Sequence, residues 1–164
     1  MYEEGLKNDK WITYYDVFPY VLYSQKKEFL TDLYNDKNSS RFRQKKEIVN
    51  YKKGLKNGIY KYYNLSGSIR YSSIYADDKQ NGTMVVYGQN EMPKNIYNYK
   101  SDILDGMYIS FFEDGTVELL CNYKNGQQFG DWKLFNKEGE VVCSSRNTNN
   151  FPQYSSGKYN CKEN

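Results

Sequence analysis

The chain of 164 residues contains no histidine. That removes the commonest general base, the Ser–His and Cys–His nucleophile pairs, and the commonest transition-metal ligand. Cysteine is scarce, at 3 residues, and its spacing forms no zinc knuckle. No apolar run is long enough to span a bilayer. The N-terminal MYEEGLKNDK has neither a positive n-region nor an apolar h-region, so it does not read as a signal peptide. Localisation reads as cytoplasmic from this chain, or as secreted or surface where a leader has been removed. A net charge of only +3 supplies no strong field for nucleic acid or anionic membrane. Aliphatic residues are few, so a deep Leu/Ile/Val core is not expected.

What the chain has instead is tyrosine, 19 of them, within an aromatic content of 18%. Tyr buries its ring and keeps its hydroxyl wet, which suits thin sheets. The tyrosines are also periodic. Tyr51, Tyr75, Tyr99 and Tyr123 stand 24 residues apart without a slip. Self-similarity at such a period marks a repeat architecture. Three residues after each Tyr come Gly54, Asp78, Asp102 and Gly126, which tolerate a left-handed backbone. Seven after come Gly58, Gly82, Gly106 and Gly130, an all-glycine column that calls for positive φ or close backbone approach. Nine after come Tyr60, Met84, Tyr108 and Trp132, and twelve after come Tyr63, Tyr87, Phe111 and Phe135. These favour strands. A second turn follows, with Gly67, Gly115 and Gly139 at its fourth position. Beyond it, alternate residues turn apolar, as in Val117, Leu119, Cys121 and Tyr123. Each unit is therefore a β-hairpin plus a Gly-rich connection. In the third unit Pro93 stands where the second strand should begin, so that strand is expected to start late or fray.

The phrase recurs at the N-terminus as Tyr2, Gly5, Asp9, Trp11 and Tyr14. Tyr2 and Tyr51 are two periods plus one residue apart, so a degenerate unit is expected over 24–50. A long hairpin with its tip at Asn35–Ser40 is favoured there over a short helix carrying Phe29, Leu30 and Leu33. Tyr154 to Tyr159 restarts the phrase. The organisation reads as one repeat domain over 1–164: an N-terminal unit at 1–23, the degenerate unit at 24–50, four regular units at 51–146 and a partial unit at 147–164.

Tyr-x-x-Gly-x-x-x-Gly-x-aromatic, followed by an aromatic, a Gly turn and a strand, resembles the MORN repeat. This version resembles the bacterial variant carried by an antitoxin family and by surface or secreted proteins of low-GC anaerobes. It covers Tyr51 to Val142 firmly and Tyr2 to Tyr15 clearly. The resemblance implies an elongated all-β array of hairpins in a single twisted or curled antiparallel sheet. It implies a binding or assembly module, with no catalytic residues to carry over.

No active site, metal site or cofactor is expected. Asp78, Asp102, Glu113 and Asp114 read as turn residues. Gly54–Gly58 and Gly126–Gly130 lack the Gly-Lys-Ser/Thr of a phosphate loop. The cysteines read as small core or surface residues of a reducing compartment. Cys121 and Cys143 lie on second strands of successive units, about 10 Å apart, too far for a disulfide limited to about 7 Å. A Cys143–Cys161 bridge is disfavoured but open.

The aromatic columns divide between core and surface. The twelve-after column is expected to be core. If one face of the sheet stays open, Tyr60, Tyr62, Tyr108, Trp132 and Leu134 form an exposed aromatic groove for a protein partner. Lys26, Lys27, Arg41, Arg43, Lys45 and Lys46 form a basic cluster. They read as a solvated face that blunts edge pairing or as a contact for phosphate or lipid headgroups. The expected function is a protein-interaction scaffold. An antitoxin or immunity protein, a secreted factor that meets host proteins and a lipid-surface adaptor are the alternatives. The expected partner is another protein rather than nucleic acid. Oligomeric state is left open.

Overall fold

The computed structural model describes residues 2–3, 5–15, 44–145, 153–155 and 158–160. It is all-β, a single open antiparallel sheet of consecutive hairpins that does not close into a barrel. In chain order the strands are β1 (Tyr2–Glu3), β2 (Leu6–Lys7), β3 (Asp9–Tyr14), β4 (Lys45–Lys52), β5 (Leu55–Tyr63), β6 (Ile69–Ala76), β7 (Lys79–Tyr87) and β8 (Pro93–Lys100). They continue as β9 (Ile103–Leu104), β10 (Gly106–Phe111), β11 (Val117–Lys124), β12 (Gln127–Phe135), β13 (Val141–Ser145), β14 (Gln153–Ser155) and β15 (Lys158–Asn160). The main sheet runs β3 to β13 in sequence order, with β9 pairing only β8, and β1–β2 and β14–β15 are separate hairpins.

Two turn types alternate along the chain. At one end of the sheet the strands are joined by two residues, as in Lys52↔Leu55 and Lys124↔Gln127. Both joining residues have positive φ at all four regular tips: Lys53 and Gly54, Asp77 and Asp78, Ser101 and Asp102, Asn125 and Gly126. That is the turn whose twist matches the flanking strands. At the other end the corner closes through Gly67 N–H to Asn64 O at 2.9 Å, Gly115 to Phe112 at 3.0 Å and Gly139 to Asn136 at 3.0 Å. The third corner lacks its glycine, and Glu91 takes the left-handed place at φ 60°. Its strand does not start late: β8 begins at Pro93, opposite Tyr87. A first strand residue can dispense with an N–H donor, so the expected fraying is corrected.

The tips are stitched to one another. Asp78 N–H donates to Lys56 O at 3.0 Å, Asp102 N–H to Gln80 O at 2.9 Å and Gly126 N–H to Leu104 O at 2.8 Å. Where the tip residue is Asp, its carboxylate also accepts a backbone N–H of the preceding unit. Lys56 N–H reaches Asp78 Oδ1 at 2.7 Å and Gln80 N–H reaches Asp102 Oδ1 at 2.7 Å. The aspartates are thus clamps between units as well as turn residues.

The N-terminal unit differs from expectation. Asp9 pairs with Tyr51 in the register that Gly58 makes with Tyr75, Gly82 with Tyr99 and Gly106 with Tyr123. Residues 45–52 therefore supply the second strand of the first unit, and no strand lies between β3 and β4 in the sheet. The extra residues of that spacing fall between β3 and β4 in the sequence. The hairpin and helix expectations for Asn35–Ser40, Phe29, Leu30 and Leu33 lie outside the described residues. At the far end, β14 and β15 repeat the tip pairing, with Ser155↔Lys158.

The core lies on one face of the sheet. Leu119, Cys121, Trp132 and Leu134 are buried together, with Tyr108, Tyr123 and Cys143 packed against them. Val49, Tyr60, Ser73 and Ser110 are buried on the same face. Cys121 is free, so it is not bridged to Cys143, as expected. Cys143 itself is disulfide-bonded. That corrects its reading as a thiol of a reducing compartment. The expectation for Cys161 lies outside the described residues.

Candidate protein-interaction surfaces

The aromatic face is built from continuous rows across the strands. One runs Trp11–Val49–Tyr60–Ser73–Met84–Tyr97. The next runs Tyr62–Tyr71–Val86–Asn95–Ser110–Leu119–Leu134–Cys143. The expected exposed groove is therefore corrected. Tyr60 is 7% exposed, Trp132 4% and Leu134 6%, while Tyr62 and Tyr108 are half-buried. These positions lie within strands paired on both sides, so neighbouring side chains of the same face close over them. The twelve-after column, expected to be core, is only half-buried at Tyr63, Tyr87, Phe111 and Phe135. It stands beside the corners, where fewer neighbours reach it.

Tyr60 shows how a one-layer sheet buries an aromatic. Its ring stacks on Tyr71 at 5.7 Å and meets the edge of Tyr75 at 5.8 Å. The Lys56 ammonium lies over Tyr60 and Tyr75, 5.2 Å from each ring. Its hydroxyl donates to Glu47 at 2.8 Å. Burial, then hydrogen bonding to Tyr71 and Glu47, pushes its ionisation well above the usual phenol range. The same arrangement recurs at the first unit, where Lys7 lies 4.9 Å from the Trp11 ring and 5.0 Å from that of Tyr51. Such contacts draw a cation over the ring face and shield it. Tyr62 stacks on Tyr71 at 5.3 Å. Tyr108 packs 4.9 Å from Tyr97 and donates to Asn95 at 3.0 Å. Burial also pushes the Cys121 thiol up to about 12, which makes it a core residue rather than a nucleophile.

The opposite face was not singled out from the sequence. Its central row is Ile12–Ile48–Lys61–Ser72–Val85–Ile96–Ile109–Leu120–Lys133–Ser144. Beside it stand Ile59 at 50% exposure, Ile74 at 41%, Met107 at 44% and Phe129 at 56%. A shallow groove of about 220 Å³ runs between Ile59, Ile74, Thr83 and Val85. The signal lies in the sequence, where several strands carry apolar residues in both phases of the alternation.

A second cleft, of about 520 Å³, is lined by Asp105, Asn122, Lys124, Phe129, Gly130 and Asp131. In the earlier units the residue before Tyr packs against the column glycine, so a Cβ there would meet Asn50 at 3.3 Å, Ile74 at 3.2 Å or Asn98 at 3.0 Å. At Gly130 nothing lies within 4 Å. The cleft offers carboxylate, amide and ammonium groups, with Tyr123 also in its lining. Among the described residues no His/Cys/Asp/Glu group is placed to hold a metal ion. Of the basic cluster, Lys45 and Lys46 are exposed, with the Lys46 ammonium 5.9 Å from the Tyr15 ring. Lys26, Lys27, Arg41 and Arg43 lie outside the described residues.

No family model matches this chain. No curated protein matches it in sequence. Among solved structures, the crystal structure of TarM superposes with a TM-score of 0.40 at 15% identity, over 75% of this chain and 24% of that one. This chain therefore spans about a quarter of TarM, and a TM-score of 0.40 decides nothing about its fold or function.

Proposed function

We propose that the protein is a non-catalytic, MORN-like scaffold that binds another protein through the aliphatic face of its sheet. One observation carries this reading. A face bearing Ile59, Ile74, Met107 and Phe129, each more than 40% exposed, has no covering layer among the described residues. Contiguous apolar surface on a folded chain marks an interaction site. Apolar anchors between Lys61 and Lys133 match the usual interface pattern of an apolar centre and a charged rim. The hairpin repeat and the MORN resemblance of the sequence support the same reading.

The test is a triple substitution, Ile59→Ser, Ile74→Ser and Met107→Ser. These side chains are exposed, so the variant should stay folded by circular dichroism. It should lose the partner that the unsubstituted chain captures from extracts of its source cells. Capture at full strength by a folded triple variant would defeat the proposal. Tyr60 or Trp132 substitutions cannot serve here, because they remove core.

A further inference from the structure

At every corner the second strand carries one residue that its partner does not match. The register skips Lys46, Arg70, Lys94, Glu118 and Val142 in successive units. A bulge leaves that residue out of the ladder and re-aims its side chain. The skipped positions are 24 residues apart, so they stand in one row at the corner end of the sheet. Two strand spacings separate neighbours, about 10 Å. The first three members are cations, all exposed. The fourth is a carboxylate.

We infer that the row Lys46–Arg70–Lys94 binds an acidic, polyproline II-like segment of a protein partner. Three features of the row select that occupant. Its pitch is the first. A polyproline II chain has three residues per turn and rises about 3.1 Å per residue, so every third side chain points the same way at about 9 Å intervals. A β-strand points successive side chains to opposite faces and cannot present every third one to a single row.

The floor beside the row is the second. Tyr62 and Tyr71 are stacked next to Arg70, and the Tyr15 hydroxyl donates to Tyr62 at 3.1 Å. The hydrogen bond to Tyr62 and then burial raise the Tyr15 ionisation above the usual phenol value, and the Arg70 charge opposes them only weakly. Aromatic floors are what polyproline II segments dock on.

The third is the charge around the row. Lys45 adds a cation beside Lys46. The neighbouring carboxylates keep their charge but are held in place by neutral donors, Glu47 by Tyr60 at 2.8 Å and Thr13 at 3.1 Å, Glu91 by Ile69 N–H at 3.3 Å and Glu118 by Ser110 at 3.0 Å, and Lys45, Lys46, Arg70 and Lys94 outnumber Glu47 and Glu91 along the stretch. Glu118 also repels an acidic chain that overruns the cationic stretch, which sets an end to the binding register. A strip one side chain wide that ends in a carboxylate does not match a flat anionic bilayer. The net charge of +3 does not match the charge density of nucleic acid.

The inference deepens the protein-binding reading and rests on it, but uses a different end of the molecule. The probe is a fluorescent peptide of repeated Glu-Pro-Pro triplets, titrated against the full chain by anisotropy at low salt. The control peptide has the same composition with its glutamates in one block. The phased peptide should bind about tenfold tighter than the blocked one, and Arg70→Glu should weaken it by about tenfold. At about 1 M salt, where the Debye length is about 3 Å, binding should vanish. Lys100→Glu, at the tip end of the sheet, should leave it unchanged.

Equal binding of the two peptides overturns the inference. So does an unaffected, folded Arg70→Glu variant, or equal binding to phosphatidylserine vesicles or inorganic polyphosphate. Loss of partner capture in the Ile59/Ile74/Met107 variant with failed peptide binding would leave the scaffold reading standing and remove only this row.

Discussion

A single methyl group separates the four column glycines. Gly106 has φ 119°, and a Cβ built there lies 3.0 Å from Asn98 Cβ. Gly130 has φ 74° and open space around it. An L-residue at positive φ costs about 1–2 kcal/mol, and an unyielding contact adds about 1–3 kcal/mol. Gly106→Ala should therefore lose about 2–4 kcal/mol, against about 1 kcal/mol for Gly130→Ala. Denaturant or thermal midpoints of the two variants decide it. Equal losses would show that backbone conformation alone holds the column. From sequence the column called for either positive φ or close approach. Three of the four positions use both, and Gly130 uses only the first.

Hairpins become an array because each tip is tied to the one before. At Asp102 the tie combines a left-handed backbone, φ 67°, with a carboxylate accepting Gln80 N–H at 2.7 Å. Substitutions can separate the two. Asp102→Asn keeps an acceptor and a residue that tolerates φ > 0, and should cost well under about 1 kcal/mol. Asp102→Gly keeps the conformation and loses the hydrogen bond, at about 1 kcal/mol. Asp102→Ala loses both, at about 2 kcal/mol. The order Asn, Gly, Ala in falling melting temperature is the expected result. An alanine variant as stable as the asparagine one would mean that the clamp holds nothing.

Over the whole molecule, the tyrosine face sets an alkaline limit. Burial is the leading cause that raises the ionisation of Tyr60, Tyr75, Tyr99 and Tyr123 above their ordinary 10.0. The sign follows from proton binding. Above pH about 10 the unfolded chain gives up phenolic protons that the folded chain keeps, so the unfolded state gains and stability falls. Below about pH 10 this contribution is fully present. Melting temperature should hold steady from these groups up to that pH and drop steeply beyond it. Absorbance of tyrosinate in the folded protein should lag that of the denatured chain. Coincident titration curves would mean that the face is wet.

Period, turn chemistry and strand composition were legible in the sequence because each is local. A tip needs residues that accept positive φ, and the 24-residue spacing places them without reference to anything distant. Three decisions were not local. Which alternation phase became core depended on the neighbours across the strands, and that buried Tyr60, Trp132 and Leu134 while leaving Ile59 and Ile74 exposed. Whether residues 45–52 began a new unit or closed the first depended on pairing between positions more than thirty residues apart, such as Thr13 and Glu47. The row Lys46–Arg70–Lys94 exists only because a register slip at each corner drops one residue from the ladder. Local chemistry along the chain sets the repeating unit. Pairing between units, where side chains of distant residues compete for the same face, decided what that unit buries and what it shows.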